Sequence, residues 1–528
     1  MQTYTLTVLD TPGIQRYIFG SNRLRENIGA SELVRRATSL WPLEILQQIG
    51  GSNVRNPANH DFDESRHIER DHLTAEVVYV GGGNTVILFR EREQAIQFTT
   101  QLNYKLLEEA PGLELAVAHI DIDWEKDRLG HKVNEAMKQL AQNRRTRLPS
   151  VPLLGLAVTA ACQSTGLVAT TTNAEHGKPE GEETYPISSE VAAKLETIEE
   201  AKAHLYASLP EIESAGYDIP SRFDEFGRTA EEMSYIAVVH ADGNGMGRFF
   251  RRITDQQPNS RDYIQEVRST SRKVEEASRA ALHQIGIALL QAVEFGKNKE
   301  PSIRGVVPIR GSKLPFRPIV FGGDDLTFVC DGRLGLTLAA CYLEAFEQET
   351  EKIGLDLLHA CAGVAVVKTH YPFARAYQLS EELASNAKKY VRDNGPADFS
   401  ALDWHFAAGG LLGGLNEIRA REYQVSEGSL TVRPLRLYES PPEWRTWPQF
   451  IRVLEEFNKG WGDRRNKVIA LREALREGPQ AVQRFLTAYG ESLPTLDSSV
   501  RSLQETGWSS HVCGYFDAIE ALDFYVPM

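Results

Sequence analysis

The stretch RPIVFGGDDLTFV (residues 317–329) decides how this chain is read. Two β-rich runs, Ile319–Phe321 and Leu326–Val329, flank Gly322-Gly323-Asp324-Asp325, the pattern of a tight hairpin. The same pattern stands earlier in AEVVYVGGGNTVILF (75–89), where Val77–Val80 and Thr85–Phe89 are joined by Gly81-Gly82-Gly83-Asn84. Outward from each hairpin the order repeats. TYTLTVLD (3–10) and SYIAVVHAD (234–242) are strand-like runs that end on Asp10 and Asp242, about 230 residues apart. Helix-period stretches follow them, near 29–49 and 263–295, the second with Ile264, Val267, Val274, Ala281, Ile285, Leu289 and Val293 on one face. After each hairpin come a helix and an apolar strand, LELAVAHI (113–120) and ACAGVAVV (360–367). A last helix spans about Pro372 to Arg392.

Both copies read βα(α)ββαβ, the order of a ferredoxin-like antiparallel sheet with helices on one face. The expected class is therefore α+β. The expected boundaries are 1–121 for the first copy, 122–230 for an α-rich insert, 231–435 for the second copy and 436–528 for a helical bundle. The insert holds the charged stretch EKDRLGHKVNEAMKQLAQNRR and the segment TTTNAEHGKPEGEET. The last part contains four of the seven tryptophans, Trp444, Trp447, Trp461 and Trp508.

Composition agrees with this division and excludes other classes. At about 100–200 residues per domain, 528 residues make three or four domains. A 42% hydrophobic and 25% charged content excludes disorder, collagen and a disulfide scaffold. The net charge of −14, from 72 acidic and 58 basic residues, excludes a general electrostatic clamp on nucleic acid. Cys162, Cys330, Cys341, Cys361 and Cys513 form no CxxC pair, so reduced thiols are expected. Asp10 stands where a signal peptide needs an apolar core, and no run of about 18 apolar residues occurs. The expectation is a cytoplasmic protein with no membrane span.

Asp242, at a strand end, and Asp324 and Asp325, in the neighbouring hairpin, form the sharpest constellation. In a ferredoxin-like sheet the first strand and the central hairpin lie side by side, so these carboxylates converge although about 80 residues separate them. Hard oxygen ligands at one point suit Mg²⁺ or Mn²⁺ together with substrate phosphates. Gly322 and Gly323 let backbone approach a nucleotide closely. Gly243 and Gly245 leave backbone N–H groups accessible to a triphosphate. The first copy has no carboxylates at its hairpin, which reads as duplication with one active copy.

The second copy resembles the catalytic palm of the large, polymerase-like subunit of type III CRISPR effector complexes, particularly the Cmr type. The resemblance rests on HADGNGMG (240–247), RPIVFGGDDLTFV (317–329) and Ala387-Lys388. The first copy resembles that family's other palm through LDTPGIQRYIF (9–19), GAS (29–31) and GGGN (81–84). Cys162-Gln163-Ser164-Thr165-Gly166 resembles the CxxTG signature of its interpalm insert.

The resemblance implies two ferredoxin-like palm domains of the nucleotidyl cyclase (GGDEF-like) kind, facing each other within one monomer. It implies that two ATP molecules are bound and joined 3′-to-5′ into cyclic oligoadenylate, an antiviral second messenger, with release of pyrophosphate. Asp242, Asp324 and Asp325 then hold Mg²⁺ or Mn²⁺, assisted by the Gly243 carbonyl. Gly243, Asn244, Gly245, Arg248, Gly322, Gly323, Lys388, Gly82, Gly83 and Asn84 contact nucleotide, with Lys388 neutralising triphosphate charge. Other type III effector subunits, guide RNA and target RNA are the implied partners.

The departures from the family are specific. The family often has DGDxMG, and Asn244 replaces the second acid. Only Cys162 is present in the insert, so the family's zinc site is expected to be absent. No HD nuclease domain is expected before the first palm. His60-Asp61, near His67 and His72, lies in a short polar loop, and DNA cleavage is not expected. Arg248, Arg251 and Arg252, Arg304, Arg310, Lys313 and Arg317, and Arg144, Arg145 and Arg147 are basic clusters whose default place is solvated surface. A template-directed polymerase is disfavoured, because its DxxxxD motif would put an acid where Gly247 stands. Two alternatives stay open: a stand-alone cyclic mono- or dinucleotide cyclase, and a non-catalytic double-palm scaffold. Base selection and product length are not fixed by the sequence.

Overall fold

The run TYTLTVLD forms strand β1 (Thr3–Asp10), buried from Tyr4 to Leu9. With β2 (Ala75–Gly81), β3 (Asn84–Phe89) and β4 (Ala116–Asp123) it builds an antiparallel sheet ordered β2-β3-β1-β4. That is the ferredoxin-like order expected from the repeat. The ladder sets Asp10 opposite Asn84 on one side and opposite Ala116 on the other. The computed structural model describes residues 2–146, 155–156, 158–179, 181–226, 234–296, 300–355, 357–394, 399–407, 413–439, 443–461, 465–496 and 500–528. Arg147 and the expected boundary near 230 lie outside the described residues.

Helices cover both faces of this sheet, where one covered face was expected. Helix α1 (Arg92–Glu109) buries Ala95, Phe98, Leu102 and Leu106 at helical spacing, and the Phe98 ring lies 5.3 Å from that of Phe89. Helix α2 (Leu129–Thr146) buries Leu129, Val133, Ala136 and Leu140 in one cluster with Leu6, Val8 and Leu88. Leu88 and Phe89 are successive strand residues and point to opposite faces, so α1 and α2 do too. Residues 121 and 122 are both inside β4, and α2 packs on that sheet. The charged helix expected in the insert therefore packs on the first sheet.

The second copy repeats the order and extends it. Strands β5 (Tyr235–Gly243), β6 (Phe316–Gly322), β7 (Asp325–Asp331), β8 (Ala360–Lys368), β9 (Ala401–Ala407) and β10 (Leu435–Arg436) form one sheet ordered β6-β7-β5-β8-β9-β10. Strand β9 runs parallel to β8, and helix α5 makes the crossover that parallel neighbours require. The helices here are α3 (Met246–Gln256), α4 (Gly335–Lys352) and α5 (Phe373–Asp393), with a long helix, Ser260–Gln291, after α3.

Gly363 and Val364 show that this sheet also is covered on both faces. A Cβ on Gly363 would lie 2.0 Å from the Ser380 carbonyl of α5, whereas Val364 packs 3.1 Å from the Cβ position of Gly335 on α4. Strand β8 is accordingly buried from Ala360 to Val367, as an apolar run without alternation requires.

The C-terminal part is helical, with helices Trp447–Trp461, Arg465–Glu477 and Pro479–Tyr489. It also shares a short four-stranded sheet, made of Gln424–Val425, Gly428–Ser429, Val512–Cys513 and Trp508–Ser509, that two-residue strands conceal from any periodicity search. Residues 435 and 436 are paired within β10, so the expected boundary there falls inside a strand.

Two compact units are distinguished along the chain. One comprises Met1–Pro210, Gly245–Arg279 and Ile319–Asp325; the other comprises Glu211–Asn244, Ala280–Pro318 and Leu326–Met528.

The backbone contact at Gly363 gives a direct test. Gly363→Ala forces its methyl against Ser380 O and Ala384 N, so the variant is expected to lose at least the ~1–3 kcal/mol of an overpacked core. Urea unfolding measures this, and an unchanged midpoint would place α5 elsewhere.

Candidate metal and nucleotide site

The end of β5 sets the geometry. Register puts Asp242 opposite Cys361, two residues from Gly363 and on the same face, the one that α5 covers. Lys388 on α5 donates to the Asp242 carboxylate and, at 3.0 Å, to the Gly243 carbonyl. Both side chains are half-buried, at 25% and 32% exposure. Lys388 therefore sits on two expected metal ligands and orients them.

The hairpin β6–β7 turns through Gly322 and Gly323, whose φ angles of 118° and 72° lie where glycine is favoured. This turn brings Asp324 and Asp325 to Asp242. One carboxylate oxygen from each of the three lies within 4.8 Å of the others. Among the described residues this is the one group of three or more His, Cys, Asp or Glu side chains so placed. Three hard oxygen donors, two half-buried and one exposed, fit Mg²⁺ or Mn²⁺ with room for substrate oxygens.

Asn244 anchors the loop that follows Asp242. Its backbone N–H donates to His359 O at 2.8 Å, and its side-chain amide donates to Phe399 O at 3.0 Å. Both donors tie the loop to the start of β8 and the segment before β9. His359 and Phe399 also line a cavity of about 360 Å³ with Glu347, Arg436 and Tyr438. Gly245, at φ 66°, begins α3, and Arg248 folds back over it while remaining exposed.

The other expected residues divide. Gly82 and Gly83 turn the first hairpin with φ of 58° and 78°, and the Asn84 amide donates to Gly82 O. Arg144 is not free surface: it donates to the Asp10 carboxylate at 2.7 Å. Burial pushes the Asp10 carboxyl up, against the pull of Arg144. Of the remaining basic clusters, Arg317 is buried in β6 and Lys313 pairs with Glu225. His60 ends a short 3₁₀ turn and Asp61 starts a two-residue strand. Cys162 is buried with Tyr185, Ile187, Val191 and Leu195.

Sequence reading passed over His240. It is buried in β5, its Nδ1 is 3.0 Å from Thr327 Oγ1, and its ring meets Tyr377 of α5 edge-on at 5.7 Å. Its place two residues before Asp242, on the same face, was the available signal.

With this geometry in place, comparison with known proteins is specific. Residues 235–395 match the family model for Cas10/Cmr2, second palm domain. The Csm1–Csm4 cassette in complex with cA3 is similar to 99% of this chain over 70% of its own, at 14% identity and a TM-score of 0.54. The cassette in complex with AMPPNP matches over the same shares at 14% identity and a TM-score of 0.53. Csm1 of T. onnurineus is similar to 100% of this chain over 70% of its own, at 16% identity and a TM-score of 0.52. A sequence search of curated proteins finds no match. Residues 235–395 thus form a second palm domain of the Cas10/Cmr2 type, and the chain shares its fold with Csm1.

Two outcomes test the site. Asn244→Asp sets a carboxylate against the Phe399 carbonyl, so it is expected to cost about 1–3 kcal/mol in unfolding experiments and to bring no gain in Mg²⁺ affinity. Tighter Mg²⁺ binding would place residue 244 among the ligands. The second outcome concerns pH. Burial holds His240 down at about 4, while an unfolded histidine titrates near 6.5. The unfolded chain binds the extra proton between these values, so stability falls as pH drops from about 6.5 to 4. The full effect is roughly 3 kcal/mol. His240→Gln is expected to flatten that slope in denaturation at stepped pH.

Proposed function

We propose that this chain is a metal-dependent nucleotidyltransferase that joins ATP 3′-to-5′ into oligoadenylate and closes it into a ring. The carrying observation is the trio of carboxylate oxygens within 4.8 Å beside a glycine turn. The domain match supports the reading, as do Csm1–Csm4 cassettes solved with ATP, pppApA, pppApApA and cA4. In each joining step a 3′-oxygen bonds to the α-phosphorus of the next ATP and loses its proton. The bond from that phosphorus to the bridging oxygen breaks, and pyrophosphate leaves. Ring closure repeats this within one strand.

The chain's own residues prepare this reaction. Asp242, Asp324 and Asp325 hold Mg²⁺ or Mn²⁺, which when bound supplies positive charge to the attacking and leaving oxygens. Lys388 orients Asp242 and Gly243 O through its two contacts. Gly322 and Gly323 keep side chains out of the approach to the backbone. Gly82, Gly83, Asn84, Gly243, Gly245 and Arg248 are the further nucleotide contacts. Because the Asn244 amide is committed to Phe399 O, its replacement of an acid leaves the trio intact. Other type III effector subunits with guide and target RNA are the proposed partners. Among the described residues no helix is long and apolar enough to cross a membrane.

Incubation with labelled ATP and Mn²⁺ or Mg²⁺, alone and with type III subunits and target RNA, is expected to yield pyrophosphate and a 3′–5′ linked product. Asp324→Ala plus Asp325→Ala is expected to reduce product below detection. Absence of pyrophosphate under every condition sinks the enzyme reading and leaves the scaffold. Unchanged product from the double variant sinks the site assignment.

A further inference from the structure

Strand β6 lies at the edge of the second sheet, so among the described residues only β7 pairs with it. Its last residues, Phe321 and Gly322, lead into the turn that carries Asp324 and Asp325. Two of the three metal-site acids therefore stand on a hairpin with backbone pairing on one side.

A side chain of the insert meets this hairpin. His204, on the helix Ile198–Ser208, stacks its ring on Phe321, with ring centroids 5.0 Å apart and planes 23° from parallel. Both residues fall in the same compact unit. Burial, and next the charge of Arg35, hold His204 down at about 4 against the pull of Glu32, so the stacked ring is neutral at neutral pH. Its Nδ1 stands 3.6 Å from a Glu32 carboxylate oxygen, longer than a hydrogen bond, and Arg35 and Arg36 donate to that carboxylate. What His204 offers the hairpin is a flat, uncharged face.

The helix that carries His204 is itself pinned to the first palm. Gly29 lies on the helix Leu24–Arg35, and a Cβ there would stand 1.7 Å from the Lys194 carbonyl oxygen. Glycine alone lets the insert helix Ser189–Glu196 end against it. Thr197 Oγ1 donates to Gly29 O at 3.2 Å, and Lys194 Nζ donates to Tyr17 O at 2.8 Å. The next helix starts at Ile198, immediately after these anchors, which set its direction and the place of His204.

We propose that His204 is a positioning residue of the metal site: its ring on Phe321 lets the insert hold the hairpin that carries Asp324 and Asp325. The inference rests on reading Asp242, Asp324 and Asp325 as the metal ligands, and it gives the insert a part in their affinity.

Mn²⁺ binding to the full chain, without nucleotide, is followed by electron paramagnetic resonance of the free ion. The binding lost on Asp324→Ala plus Asp325→Ala defines the site. His204→Ala is expected to weaken that site about two- to tenfold, the range a stacked ring pair spans, and His204→Phe to restore it. Each variant is measured well below its own melting temperature, so that lower affinity reports a displaced hairpin in a folded chain. If His204→Ala does not fold, His204→Gln, which also lacks the ring, decides. Unchanged affinity without the ring, or an equal loss in the Phe variant, overturns the proposal. A wild-type chain with no Mn²⁺ binding that depends on Asp324 and Asp325 sinks the metal-site reading and the proposal with it. That result is read from the wild type and the double variant, apart from any failure at His204.

Discussion

Three carboxylates repel one another wherever they meet, and the second palm is built to hold them together. Two unit charges about 4 Å apart interact by about 1 kcal/mol in water and about 4 kcal/mol near a protein surface. The trio, with oxygens within 4.8 Å, persists because each member is fixed by something stronger. Asp242 is held by the β5–β8 ladder and by Lys388. Asp324 and Asp325 are held by a hairpin that turns through Gly322 and Gly323 at positive φ. A site under this internal repulsion is prepared for a cation before one arrives.

Such a site needs a rigid base, and burial on both faces of the sheet provides it. Strand β8 lies between α4 and α5, close enough to α5 that only glycine fits at 363. That close approach puts Lys388 within reach of Asp242. The loop after Asp242 is fixed by the Asn244 donors, so the residue that departs from the family pattern secures the position of those that keep it. His240, held neutral by burial, fills the same face without adding charge.

Duplication explains the rest of the charge pattern. Both palms kept a strand-end aspartate with a cation from the same helix position, and only one kept the hairpin acids. The first palm's strand-end aspartate is paired with an arginine; the second palm's is paired with a lysine and has two hairpin acids beside it. The two copies share a strand and helix order and differ in the charges at their hairpins.

The sequence by itself determined the repeated βααββαβ order, the two hairpins and the three acids, because strand and helix periods and glycine turns are local properties. From these the sheet order and the meeting of Asp242 with Asp324 and Asp325 followed by topology alone. Tertiary structure decided what depends on packing at a distance. It covered both faces of each sheet, because a helix's apolar stripe does not say which face it will find. It added β9 and β10, and the small C-terminal sheet, because strands this short or this far along the chain carry no period. It placed Arg144 on Asp10 and the Asn244 amide on Phe399, since a long polar side chain reads as solvated until a partner over a hundred residues away is brought to it.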